Sequence, residues 1–254
     1  MRSRQSGFTL VEILVALLIA VFLLFGLVTM TQNNKTTYSN QSALAQLQDN
    51  QRFALSIMND VIQQAGYFPD PTVHGATDDM PPIGSFTAAG QPLYGTPQIV
   101  GTQAATIGAQ YSLANQDTVL TCAGQQNTGA MTAFTNTFAI VPPPDAQHPM
   151  DGQLTCTVET SAGAQPPVIL VTGVTDMQIR YGINDTGAVT THDVTQYKTA
   201  DQMAGTDWMN VTSVQVTLTF ANPLAYPPNT QLGQSKTIDI IRTIGVMTRA
   251  GVTT

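Results

Sequence analysis

Residues 8–30 read FTLVEILVALLIAVFLLFGLVTM, an apolar run of 23 residues interrupted by one charge, Glu12. As a helix this run spans about 35 Å at 1.5 Å per residue, enough for the roughly 30 Å hydrocarbon core of a bilayer. After Met30 the chain turns polar, TQNNKTTYSNQ, with neither Pro nor Gly before Gly66. From Ala43 a helical period takes over. Leu44, Leu47, Ala54, Leu55, Met58, Val61, Ile62 and Ala65 recur at spacings of three and four and make one apolar stripe, with Gln, Asp and Asn on the other face. Gly66 supplies a stop, with Pro69 just beyond. The pattern predicts one long helix over 8–65, apolar all round in its first half and amphipathic in its second. Gly26, the lone Gly inside it, marks a place for a local bend or melting.

Residues 69–116 are rich in Pro, Gly, Thr and Ala and show little periodicity. They read as an extended, loop-rich segment that either hides short strands or forms an exposed insertion used for contacts. From Asp117 the period becomes two. DTVLT (117–121), TNTFAIV (135–141), QLTCTVE (153–159), PVILVTGV (167–174), DMQIRYGI (176–183), VTSVQVTLTF (211–220) and KTIDIIRTIGVM (236–247) read as strands. The expected fold is α+β, an antiparallel sheet packed on the amphipathic half of the helix. The expected division is a leader at 1–7, a spanning helix at 8–30, its amphipathic continuation at 31–66 and an extracytoplasmic β-rich domain at 67–254.

Charge adds direction. Arg2 and Arg4 precede the apolar run and no basic residue follows until Lys35, so the positive-inside rule puts the N-terminus in the cytoplasm and the rest across the membrane. Beyond Gly7, seven basic residues stand against sixteen acidic ones, and the basic ones are scattered. Such a chain lacks the electrostatic footprint of a nucleic-acid binder. The two cysteines, Cys122 and Cys156, fall where disulfides persist. Joining them would stabilise the fold by roughly 3–4 kcal/mol on the chain-entropy account; the alternative is two buried thiols.

Three readings of the N-terminal segment compete. A secretory signal peptide has a shorter apolar region ending at a small-x-small site, which is missing here. A plain signal anchor explains length and charge bias but not Glu12, since a carboxylate within a spanning helix costs about 2.5–3.5 kcal/mol. The third follows from Gly7-Phe8-Thr9-Leu10-Val11-Glu12, which resembles the prepilin motif of type IV pilins and type II secretion pseudopilins. The resemblance implies a prepilin peptidase cutting after Gly7 and N-methylation of the new terminus at Phe8. In a filament of stacked helices Glu12 could then pair with the Phe8 amine of a neighbour, which makes the buried charge a registration device.

Two further segments narrow the resemblance. Arg52-Phe53-Ala54-Leu55 leading to Ala65-Gly66-Tyr67-Phe68 is similar to the corresponding helix of PilW-type minor pilins. Val174–Gly182, then Tyr197, Trp208 and Val211–Leu218, resemble the C-terminal part of the same proteins, whereas the ending TIGVMTRAG departs from their Arg-rich ending. The resemblance implies a non-enzymatic minor pilin, without cofactor or metal, that primes or caps type IV pili in a minor-pilin tip complex. Its partners would be other minor pilins, the major pilin and prepilin peptidase. It would sit in the inner membrane with a periplasmic domain and later in the pilus at the cell surface, serving motility, adhesion or DNA uptake. A minor pseudopilin of a type II secretion system shares the leader and helix and is the alternative; a secreted enzyme on a signal anchor is a third class.

Chemistry is sparse. His74, His148 and His192 are isolated in loop-like contexts, and no HExxH, Walker A or GxSxG pattern occurs. Asn184-Asp185-Thr186-Gly187 has a loose likeness to a calcium loop but lacks the spaced acids and terminal Glu, and reads as a turn. Asp78-Asp79 reads as solvated loop. Trp208 fits either a partner anchor or a half-buried core position. Mass spectrometry of the mature chain should find it beginning at N-methylated Phe8; an intact Met1 start, or a cut near residue 30, contradicts the motif reading.

Overall fold

The computed structural model describes residues 9–99, 101, 103–184, 193–227 and 230–247. One helix, α1, runs from Leu10 to Gln63, 54 residues, or about 80 Å. It passes unbroken through Gly26. At its far end Gly66 takes φ 82°, a left-handed conformation open to glycine, and its N–H donates to the Gln110 carbonyl at 2.7 Å. The stop therefore lies where the sequence put it, and this bond ties the helix end directly to a strand.

The domain carries two antiparallel sheets rather than one. The first holds β1 (Leu93–Thr96), β2 (Thr106–Leu113), β3 (Thr132–Val141) and β4 (Gln153–Thr160) in that order. The short β5 (Gly163–Ala164) and β6 (Val168–Thr172) both pair with β4. The second sheet has the order β10-β9-β7-β8, from β7 (Val174–Ile183), β8 (Gln196–Lys198), β9 (Val211–Ala221) and β10 (Thr237–Gly245). The chain changes sheet at Gly173, whose φ of 84° again suits glycine. Its N–H donates to the Gly152 carbonyl at 2.7 Å and its own carbonyl accepts from Ala221 N–H at 2.8 Å, so the switch point is bonded to both sheets.

The sheets face one another through β7, which packs on β2, β3 and β4. Met177, Ile179 and Tyr181 of β7 alternate into this core. The amphipathic half of α1 lies against β6 and β10, edge strands of the two sheets. Leu47, Ala54, Met58, Val61 and Ile62 are its buried residues, with Ala65 just past the helix, and Asn50 Nδ2 donates to the Thr172 carbonyl of β6 at 3.3 Å. The helix thus covers the open seam of a two-sheet core, and the predicted stripe is what it buries.

Two expectations about the strands change. DTVLT is not a strand: residues 117–121 form an irregular loop. Asp117 holds that loop, accepting from Val119 N–H at 3.2 Å and from the Tyr67 hydroxyl at 3.1 Å, and local side-chain bonds of this kind compete with a ladder. The segment 69–116 does hide strands, β1 and β2. Strand β2 is buried on both faces apart from Thr106, although its sequence alternates apolar and polar residues as a half-buried strand does. One face, Ile107, Ala109, Tyr111 and Leu113, joins the core. On the other, Gln110 Nε2 donates to the Pro81 carbonyl and Phe86 packs at Gly108, so residues 80–92 form a cover rather than an exposed insertion.

Ile62 is fully buried whereas Phe53, on the same helix, is 52% exposed. Ile62→Ala should therefore lower unfolding stability by about 2–5 kcal/mol, and Phe53→Ala by about 0.5 kcal/mol or less. Chemical denaturation of the full chain in detergent measures both; equal losses would contradict this seating of the helix.

Candidate assembly interface

The first half of α1 touches nothing in its own chain. Its large apolar residues from Leu10 to Met30 are between 52% and 78% exposed. Covering such a surface is worth on the order of tens of kcal/mol, so water is not its medium. The threonines around its polar boundary are suited to an apolar surrounding. Thr29, Thr31, Thr36 and Thr37 each donate their hydroxyl to the carbonyl four residues earlier, at 2.8, 2.8, 3.1 and 2.9 Å. Hydroxyls satisfied within the helix need no water.

At the helix start, Thr9 is the N-cap, in extended conformation, and its side chain accepts from Glu12 N–H at 3.4 Å. Glu12 is the third helical residue, so Thr9-x-x-Glu12 has the spacing of a capping box. Its carboxylate lies where the helix dipole favours an anion. The motif reading gave Thr9 no role, although the spacing was visible in the sequence. Glu12 is exposed, and among the described residues no cation pairs with its side chain. Gly7 and Phe8, the expected cut site and methylated terminus, lie outside the described residues.

Cys122 and Cys156 are joined, with Cα atoms 6.1 Å apart and both residues buried. The bond ties the loop after residue 117 to the middle of β4, opposite Phe138 of β3. The same loop is held by the Tyr111 hydroxyl, which donates to the Leu120 carbonyl at 2.8 Å, and by Cys122 N–H donating to Asn136 Oδ1 at 2.8 Å. Burial pushes the Tyr111 phenol well above its ordinary range, so it stays a donor.

The other candidates separate. Trp208 is a core residue, 7% exposed, edge-on to Tyr181 at 4.8 Å and tilted against Tyr94 at 5.5 Å. Asp79 is not solvated loop. It is buried, with Oδ1 3.4 Å from His74 Nδ1, while Asp78 is exposed. His148 sits 2.7 Å from Asp145 on the surface, and this hydrogen bond holds the Asp145 carboxyl below its usual range. His192 and Asp185–Gly187 lie outside the described residues. Among the described residues no three His, Cys, Asp or Glu side chains converge on one point.

Residues 143–240 match the family model described as Type IV Pilus-assembly protein W, and residues 2–28 match the prokaryotic N-terminal methylation motif. The first match takes in β4 to β9 and the start of β10, so it covers the change of sheet at Gly173. The second takes in the motif and the exposed half of α1. The Arg52–Phe68 segment and strands β1 to β3 lie outside both. No curated protein matches the chain.

Cys156→Ser should cost about 2–4 kcal/mol of stability, read by denaturation without reductant. Peptide mapping of unreduced protein from the cell envelope should recover Cys122 joined to Cys156; two alkylatable thiols there would refute the bond.

Proposed function

We propose, for a chain that its two family matches identify as a type IV pilin-like minor pilin, that it primes or caps pilus assembly as one subunit of a minor-pilin tip complex. The observation that carries this reading is the union of a methylation motif with a helix whose first half has no partner in its own chain. Prepilin peptidase cuts after Gly7, Phe8 becomes the methylated terminus, and the helix holds the subunit in the inner membrane with its domain in the periplasm. On assembly, neighbouring helices replace lipid around residues 10–30. That exchange is close to neutral in hydrophobic terms, because lipid tails are as apolar as Leu. The direction must come from elsewhere. Glu12 is costly in lipid and gains by meeting the Phe8 amine of the next subunit, which also sets the axial register.

The role is structural rather than enzymatic. Motility, adhesion or DNA uptake belong to the filament, and an acidic subunit is not its DNA receptor. Residues 143–240, which match the pilus-assembly family, favour the pilus over a type II secretion pseudopilus.

An in-frame deletion should remove surface pili and leave exoprotein secretion intact; the reverse outcome would assign the chain to a secretion system. Glu12→Ala should still be cut and methylated at Phe8. It should, however, appear in sheared filaments about tenfold less than the unaltered chain, a loss in line with stranding one partner of a buried charge pair. Normal incorporation of this variant would sink the charge-pairing step.

A further inference from the structure

The loop that the sequence pattern presents as a strand forms one wall of a groove. The opposite wall is the last two turns of α1. Ile57, Asp60 and Gln64 line it from the helix, and Leu120, Thr121 and Cys122 from the loop, around a cavity of about 280 Å³. The loop wall is fixed in place. Cys122 is bound covalently to β4, the Leu120 carbonyl is held by Tyr111, and Thr121 Oγ1 accepts from Gln125 N–H at 3.1 Å. A recess whose walls are already ordered loses little entropy on binding.

Its chemistry is one-sided. Ile57, Leu120 and Cys122 give it apolar walls, and Leu120 is 46% exposed at the rim. The charged residue among those that line it is Asp60. Asp60 is exposed, and among the described residues no ion pair includes it. The Gln64 side-chain oxygen is buried and accepts no hydrogen bond among the described residues. That oxygen is closed to solvent as the groove stands, so Asp60 is the charge an entering side chain would meet. The apolar surface continues down the same side of the helix to Phe53, four residues before Ile57 and 52% exposed.

We propose that this groove receives an arginine or lysine side chain from the extracytoplasmic domain of a neighbouring pilin-like subunit. The apolar stem would lie on Ile57 and Leu120, the cationic head would meet Asp60, and an apolar neighbour would cover Phe53. Charge selects the occupant. With sixteen acids against nine bases, a second copy of this chain is a poor source of the cation. Position excludes lipid, since Ile57 lies about 40 Å along α1 from the end of the apolar run at Met30. The inference deepens the assembly reading and rests on it.

The test places the photo-crosslinking amino acid p-benzoylphenylalanine at position 120, or at position 22 on the exposed half of α1, in the full-length chain in piliated cells. Position 120 should capture a different pilin-like subunit, joined at a peptide that carries Lys or Arg. In Asp60→Lys that yield should fall about tenfold, with Asp60→Asn intermediate and the Cys122–Cys156 bond still formed in both. An unchanged yield in Asp60→Lys, capture of a copy of this chain, or no capture at position 120 while position 22 still captures pilin subunits would overturn the groove and leave the assembly reading standing. Failure at both positions would instead count against assembly itself, and the groove would fall with it.

Discussion

Everything in this molecule follows from an apolar surface that its own chain does not cover. The first half of α1 is exposed on all sides, and nothing in the domain reaches it. A globular protein cannot keep such a surface in water, so the fold makes sense only with a second, apolar environment. The helix must then stay straight and firmly seated, because whatever holds its exposed end has to pull on the domain through it. Within the domain the helix is therefore tied at both ends of its seat. Asn50 bonds β6 where the helix enters, and Gly66 bonds β2 where it stops.

The two-sheet construction serves that seat. A single sheet would offer the helix a face; here it covers a seam, between β6 of one sheet and β10 of the other. The switch at Gly173 brings these strands within reach of one helix, since its bonds to Gly152 and Ala221 pin the sheets at that point. The PilW-type match takes in this switch and most of the second sheet. The strands outside it, β1 to β3, carry the Tyr111 bond and the Asn136 contact that shape the loop beside the helix end. In this division of labour, the family-like part seats the helix and the remaining part shapes the groove at its top.

How much of this could be read in the sequence depended on how many faces of an element were exposed. The helix was legible because its two halves follow simple rules, all-round apolar to Met30 and a three-four stripe from Leu44 to Ala65. Strands β7 and β9 were legible because one face of each is polar. Strand β2 alternates in the sequence as well, Ile107, Ala109, Tyr111 and Leu113 against Gly108, Gln110 and Ser112, but it sits in a stretch rich in Pro, Gly, Thr and Ala, and its polar face is buried under residues 80–92 instead of facing water. Residues 117–121 failed for the opposite reason. The β-branched Thr118, Val119 and Thr121 favour a strand, but Asp117 and the tie at Cys122 fold the backbone into a loop. Glu12 was singled out at once from its charge. Its partner within the helix start, Thr9, is legible only as the cap spacing Thr9-x-x-Glu12, which overlaps the prepilin-like motif.

The capping geometry sharpens what Glu12 does. A first-turn carboxylate is favourable to its own helix, and it remains exposed, as the proposed pairing with a neighbouring subunit requires. The most direct test of the account is quantitative mass spectrometry of sheared filaments beside the membrane fraction of the same cells. Mature peptides of this chain should co-fractionate with filaments, at far lower abundance than the main filament subunit, and should be missing from the sheared fraction of a non-piliated strain. Complete retention of the chain in the membrane fraction of piliated cells would contradict the proposed role as a filament subunit.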